Sequence, residues 1–230
     1  MIKKILILLP MMYVFTAYSQ REHHTGITVG FGITNSVTAD IVKNFKFLKN
    51  EKLHIGAGAR AGIIFTSNDV NFTTAPAKHA KKNSEIDTLL VTKPWSIPVN
   101  VNFNICYFFN NRVCAGFNID LAGFTFGSKK NSKFFPSSKM QEAEGKRTVL
   151  TEQNSKPMIN NFNMIGNYRK GTTLNEFFAR YQIHERFSVK ASYTIITSEF
   201  ISEKRIGYNS NYRFRNTSSQ ISIGLRYHFI

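Results

Sequence analysis

The sequence predicts an all-β protein, an eight-stranded antiparallel up-and-down transmembrane β-barrel with short periplasmic turns and long extracellular loops. Three observations predict it. Apolar and polar residues alternate along most of the chain, the alternating segments run 9 to 15 residues, and tight turns take turns with long polar connections. Period two is the pleat of a β-strand, whose successive side chains leave opposite faces of a sheet. The segments exceed the roughly 5 to 6 residues usual in soluble sheets and match the roughly 9 to 11 that cross a membrane on a tilt.

The chain opens MIKKILILLPMMYVFTAYSQ. Lys3 and Lys4 precede an apolar run from Ile5 to Phe15, and Ala17-Tyr18-Ser19 supplies small residues before Gln20. This is the three-part pattern of a secretory signal. Residues 1–19 are therefore expected to be a cleaved signal peptide and residues 20–230 a single barrel domain. The run is too short for a membrane-anchoring helix, which needs about 20 apolar residues. His23 and His24 are expected in a flexible tail at the mature N-terminus.

The strands expected in order are Gly26–Thr34, Ser36–Leu48, Leu53–Thr66, Trp95–Phe108, Arg112–Phe126, Thr172–His184, Phe187–Phe200 and Thr217–Ile230. WSIPVNVNFNICYFF shows the pattern most plainly: Trp95, Ile97, Val99, Val101, Phe103, Ile105 and Tyr107 alternate with Ser96, Asn100, Asn102, Asn104 and Cys106. The apolar parity is odd in nearly every segment. Aromatic residues, among them Phe45, Phe65, Trp95, Tyr107, Phe187, Tyr227 and Phe229, fall where an apolar face would meet two interfaces.

Lys49–Lys52, Asn110-Asn111 and Glu185-Arg186 read as tight turns, whereas Ser67–Pro94, Gly127–Gly171 and Ile201–Asn216 read as long polar loops. Short turns on one rim and long loops on the other mark an outer-membrane barrel. The export signal, the eight alternating strands and the closing ISIGLRYHFI resemble the small eight-stranded outer-membrane β-barrels of the OmpA/OmpX type. The resemblance covers the mature chain and implies a cell-surface, porin-like protein of a Gram-negative outer membrane. An exported lipocalin-like binding barrel has the same strands turned inside out. The even face argues against it, because Gly, Ser and Asn suit a crowded lumen better than a solvated coat.

The even face places Asp40, Arg60, Asp120, Glu176, Arg180, Lys190 and Arg226 in the lumen. Buried charges must pair, so a plug of salt bridges is expected in preference to an ion path, with Asp40 and Arg60 facing each other across the Asn50 turn. Cys106 and Cys114 each lie four residues from Asn110. A turn centred there would set them opposite, as a disulfide or as two reduced lumen fillers.

The charge is +16, or +14 once Lys3 and Lys4 leave with the signal. Most of the excess lies in the long loops, on Lys129, Lys130, Lys133, Lys146, Arg147, Arg169, Lys170, Arg213 and Arg215. An exported chain without a basic reading helix is not expected to bind nucleic acid, so lipopolysaccharide or another anionic surface partner is the expected contact of a monomer. No cofactor is implied. His54, His184 and His228 share the inward parity, but on strands that are not neighbours, and no metal is assigned to them. Barrels of this architecture include lipid A-modifying enzymes, which need Ser and His together near the outer rim. Here the strand histidines gather at the other rim, and His79 lies in a loop among Lys78, Lys81 and Lys82, so catalysis is not expected.

Overall fold

The computed structural model describes residues 21–47, 52–75, 82–143, 151–163, 169–205 and 211–229. The expected signal peptide lies outside them, as do Lys146, Arg147 and His79. The described residues are all-β and antiparallel, and they hold thirteen strands where eight were expected. Eight are long: β1 (Arg21–Gly32), β2 (Asn35–Phe47), β3 (Leu53–Phe65), β6 (Trp95–Phe108), β7 (Val113–Phe126), β11 (Thr173–His184), β12 (Phe187–Ser202) and β13 (Arg213–Phe229). Five short ones lie inside the connections expected to be loops: β4 (Val70–Thr74), β5 (Thr88–Val91), β8 (Lys130–Phe135), β9 (Thr151–Pro157) and β10 (Asn160–Phe162). One short helix, α1 (Ser138–Ala143), follows β8.

The long strands pair in chain order, β1 with β2, β2 with β3, β3 with β6, β6 with β7, β7 with β11, β11 with β12 and β12 with β13. β13 then pairs with β1 through the run His23↔Phe229 to Gly32↔Gln220, which returns the circuit to its start. His24 is thus a buried residue of β1 and no part of a tail. The ladder that draws it in begins five residues before the first apolar alternation of the sequence, at Arg21 instead of Gly26.

Alternation along these strands sorts the side chains by face. On the even face Thr28, Ser36, Thr38, Asn100, Asn104, Ser188, Ser192 and Ser222 are buried, while Ile27, Phe31, Val101, Phe177, Ile221 and Ile223 on the odd face are each more than half exposed. β7 changes parity at Leu121, because Val101 pairs with Ala122 and Asn102 with Asp120, leaving Leu121 as a bulge. Beyond it Thr125 turns inward and Phe124 and Phe126 outward. Above the bulge β7 exchanges β11 for β10 as its partner.

Four of the short strands form a second circuit. β13 pairs with β4, β4 with β5, β5 with β8, β8 with β9 and β9 with β12, so the upper ends of β12 and β13 serve both circuits. The inner face of this head is apolar: Val70, Phe72, Leu89, Val91, Phe134, Phe200 and Phe214 form one buried cluster, with Met140 of α1 packed against it. The register explains the cluster, since Leu89 is the partner of both Phe72 and Phe134, and Phe200 of Phe214. The Phe72 and Phe200 rings lie 4.9 Å apart. Below it Ile64, Leu174 and Ile196 form a smaller apolar layer on the inward face of three long strands. Phe200→Ala should cost about 3 to 5 kcal/mol. Limited proteolysis of the folded variant is expected to cut within residues 66–94 and 127–172 many times faster than wild type, with the lower part of the circuit still intact.

Candidate functional site

All seven charges assigned to the interior are buried: Asp40, Arg60, Asp120, Glu176, Arg180, Lys190 and Arg226 are each at most 5% exposed. They meet at two carboxylates and one cross-strand pair. Glu176 accepts from Lys190 Nζ at 2.5 Å, from Ser192 Oγ at 2.7 Å and from Asn118 Nδ2 at 2.7 Å, with Arg60 at 3.5 Å. Asp120 accepts from Asn100 Nδ2 at 2.8 Å and from the Leu174 backbone N–H at 2.9 Å, and faces Arg60 Nε at 3.7 Å. Arg60 therefore reaches from β3 across the interior to carboxylates on β7 and β11.

Asp40 and Arg60 are Cα partners, as the turn spacing suggests, but the expected ion pair between them is not the one formed. Asp40 Oδ2 accepts instead from Arg226 NH2 at 2.9 Å. The reason is Gly26, which stands between them as the partner of both Asp40 and Arg226. A Cβ on Gly26 would lie 2.8 Å from Arg226 Cγ, so only glycine leaves the arginine room to cross β1.

Lys190 and Arg180 are also Cα partners, and like charges directly opposite repel. The two side chains part: Lys190 leans to Glu176, while Arg180 lies over the Phe108 ring at 5.4 Å with Cys106 Sγ at 4.0 Å. Between the charges the amides join directly, Asn104 to Asn118 at 2.5 Å and Asn161 to Asn100 at 2.7 Å.

Of the two alternatives for Cys106 and Cys114, the disulfide is not formed. Cys106 is the partner of Gly116 and Cys114 of Phe108, an offset of two residues. The turn is longer than assumed: Asn110 Oδ1 accepts from the N–H groups of Arg112 and Val113, both at 2.9 Å, which centres the hairpin on Asn111. Both cysteines are buried beside Phe178. The three histidines do not gather in the interior either. His54 is buried against Phe108 and His228 against Ser188, but His184 follows a register shift at the end of β11 and is exposed.

The basic residues divide. Lys129 and Lys133 lie on the outer surface of the head, with Lys129 2.5 Å from Glu203 and Lys133 3.6 Å from Glu152, and Lys130 Nζ stands 5.8 Å from the Trp95 ring centre. The hydrogen bonds from Lys129 and Asn154 hold the Glu203 carboxyl below the ordinary range. Lys170 is exposed. Arg213 and Arg215, expected in a loop, belong to β13 and converge on Glu199, at 2.8 and 2.6 Å. Glu199 is fully buried and went unnoticed in the sequence. The signal was there: Thr197 and Glu199 are polar residues on the apolar parity of their strand, where an outward face leaves its apolar surroundings. Gly171, at φ 71°, brings its N–H to Glu199 Oε2 at 3.2 Å, and both arginines also donate to the Arg169 backbone carbonyl.

No protein-family model and no curated protein matches the chain. Several solved structures do. The attachment invasion locus protein Ail of Yersinia pestis, in complex with the heparin analogue sucrose octasulfate, is 9% identical over 92% of this chain and 99% of its own, with a TM-score of 0.36. A major outer membrane protein from Thermus thermophilus is 7% identical over 91% and 100%, with a TM-score of 0.43. The outer membrane protease OmpT of Escherichia coli is 8% identical over 92% and 94%, with a TM-score of 0.29.

The expectation that the chain is not an enzyme is corrected by this last likeness, which shows that enzymes occur among structures of this kind and does not make this protein one. At the short-turn rim, where the strand histidines were expected, His228 Nε2 lies 2.9 Å from Ser188 Oγ, so a base stands within reach of a hydroxyl at that rim.

The charge cluster itself generates a test. Glu176→Gln should cost about 3 to 5 kcal/mol, because it strands Lys190 and weakens the hold on Arg60 in a buried setting. Equilibrium urea unfolding is expected to recover more than half of that loss in the double variant Glu176→Gln/Lys190→Met.

Proposed function

We propose that the circuit of eight long strands is a transmembrane barrel of the outer membrane, plugged by its own side chains and carrying a basic head that contacts lipopolysaccharide or another anionic surface partner. The observation that carries this reading is the outward apolar belt. Ile27 is 61% exposed, Phe31 64%, Phe177 58%, Ile221 69% and Ile223 60%. Monomeric proteins in water do not present such a continuous band. A soluble lipocalin-like barrel would put these residues inside, so their exposure disfavours that alternative. Strands of 12 to 17 residues are long enough for the tilted crossing, which needs about 9 to 11. Tyr107, Phe187, Tyr227 and Phe229 ring the end with the short turns, and the Phe187–Tyr227 and Tyr227–Phe229 pairs meet edge to face.

The plug is supported from two sides. The charge cluster fills the middle of the bore with paired groups, and the Ile64, Leu174 and Ile196 layer and the head core lie above it. Residues 1–19 act as the export signal, removed on secretion, and the mature chain is a monomer with its short turns in the periplasm.

The first test is reconstitution of the mature chain into phospholipid vesicles. The folded protein is expected to migrate differently on a detergent gel before and after boiling, and an unchanged mobility would overturn the barrel reading. Arginine at Ile223 or Val101 should cost about 2 to 4 kcal/mol in urea unfolding from vesicles, as expected for a charge at the bilayer midplane. Asn216→Ser, beyond the belt, should fall within about 0.5 kcal/mol of wild type.

A further inference from the structure

The outer wall above the belt carries a second cluster, distinct from the plug. The β12–β13 register runs without a shift from Phe187↔Tyr227 to Ile201↔Arg213. Thr197 and Glu199 therefore share the outward parity of Tyr193 and Ile195, and Arg213 and Arg215 that of Ile221 and Ile223. Three guanidinium groups, those of Arg169, Arg213 and Arg215, stand at this level around one carboxylate. Glu199 engages Arg213 and Arg215 directly. Arg169 NH1 turns down instead to Thr197 Oγ1 at 3.5 Å.

Below Arg169 lies a groove of about 470 Å³, walled by Phe117, Ile119, Leu121, Phe177 and Ile195, with Asn163 and Asn175 at its polar end and Glu176, already paired with Lys190, also in its lining. It exists because β11 starts only at Thr173, level with the Leu121 bulge, so that the wall changes partner there. Asn163 Nδ2 bonds to Asn175 Oδ1 and to the Asp120 carbonyl, both at 2.8 Å, and fixes the seam. On the other side of β10 a second groove, of about 560 Å³, is lined by Val101, Ala122, Phe124 and Phe162, with Lys170 at its rim. Arg169 and Lys170 thus stand next to each other in the chain, each at the head of an apolar groove on the belt face.

We propose that this seam is a binding site for a phosphorylated glycolipid of the outer leaflet, with acyl chains in the two grooves and phosphate held by Arg169 and Lys170. Charge complementarity carries the choice of occupant. The cationic groups exceed the single carboxylate of the cluster, they sit at the height of lipid headgroups, and the surfaces beneath them are apolar and face the membrane. Burial and, after it, the neighbouring Arg215 hold the Arg169 guanidinium below its ordinary value, and a bound phosphate would offset the repulsion from Arg215. An anionic protein would use the cations and leave the grooves unfilled.

The inference rests on the barrel reading, and the test separates the two. Mature protein in detergent micelles, already shown by the gel shift to be folded, is titrated with diphosphorylated lipid A, with fully dephosphorylated lipid A and with inorganic phosphate, and bound lipid is counted by native mass spectrometry. Wild type is expected to retain one lipid A and to bind the dephosphorylated form at least tenfold more weakly. Arg169→Gln/Lys170→Gln should lose at least tenfold in lipid A retention, and Arg169→Lys no more than about threefold. Ile119→Trp, which fills one groove without touching a charge, should also lose retention. Equal retention of the two lipid forms, unchanged retention in the Arg169→Gln/Lys170→Gln variant, or displacement of lipid A by millimolar phosphate would overturn the site. None of those outcomes would touch the barrel, which fails only if the gel shift fails.

Discussion

On the proposed reading the wall faces hydrocarbon, where no backbone N–H or C=O can be left unpaired, and most other features of this molecule follow from that constraint. The sheet satisfies it by returning β13 to β1, so that each long strand has a partner on both sides. Closure has a consequence for the interior. On the same reading eight long strands leave a bore that side chains nearly fill, and whatever lines it is taken out of bulk water. Most even positions therefore carry small or polar residues, and apolar ones gather in layers such as Ile64, Leu174 and Ile196. Four cations and three carboxylates are tolerable there because each carboxylate meets at least one cation: Glu176 meets Lys190 and Arg60, with Ser192 and Asn118 also donating to it, Asp120 meets Arg60, with Asn100 and a backbone N–H donating, and Asp40 meets Arg226.

The same rule governs the upper rim, where the wall is irregular. β11 stops at Thr173, and the chain from β9 through β10 takes its place beside β12 and β7. Groups that the missing strand would have paired find other partners. The Thr125 N–H donates to the Ile159 carbonyl, Asn163 N–H to Leu121, Met158 N–H to Glu199 and Thr172 N–H to Asn161 Oδ1. The head is the extension of this solution: four short strands close against the overhanging ends of β12 and β13, and their inner face, no longer obliged to be polar, becomes a small hydrophobic core.

Much of the long-strand circuit was legible because a pleat is a local property. Odd and even residues declare their faces without knowledge of any partner, so the alternation of exposed apolar and buried polar side chains could be read one strand at a time. What could not be read depends on who meets whom. The partner of Asp40 is decided by the clearance over Gly26, two strands from Arg60's route across the bore. The cysteines miss each other because the Asn110 side chain lengthens the turn and moves the register. The head escaped because runs such as VNFTT and TLLV are only 5 and 4 residues long, too short to show a period, and their apolar face is defined only by pairing with strands far away in sequence. Glu199 escaped for the opposite reason. A charge on an apolar parity looks like the end of a strand until Arg213 and Arg215 arrive from the next one.

Filling the bore also decides where function can reside. On the proposed reading a column of paired charges, an apolar layer and an aromatic core lie along one axis, and a path for ions would require several of these layers to open together. Each is held by contacts from at least three strands, so opening one disturbs the wall itself. The outside is under no such restriction. Beyond the belt the surface is basic, its ion pairs such as Lys133–Glu152 are exposed and individually weak, and the seam at Leu121 breaks the smoothness of the wall. On the proposed reading, a molecule that fills its interior with paired charges and apolar layers and concentrates cations and irregularity at the level of lipid headgroups has its working surface on the outside of the barrel, around β7, β10, β12 and the head.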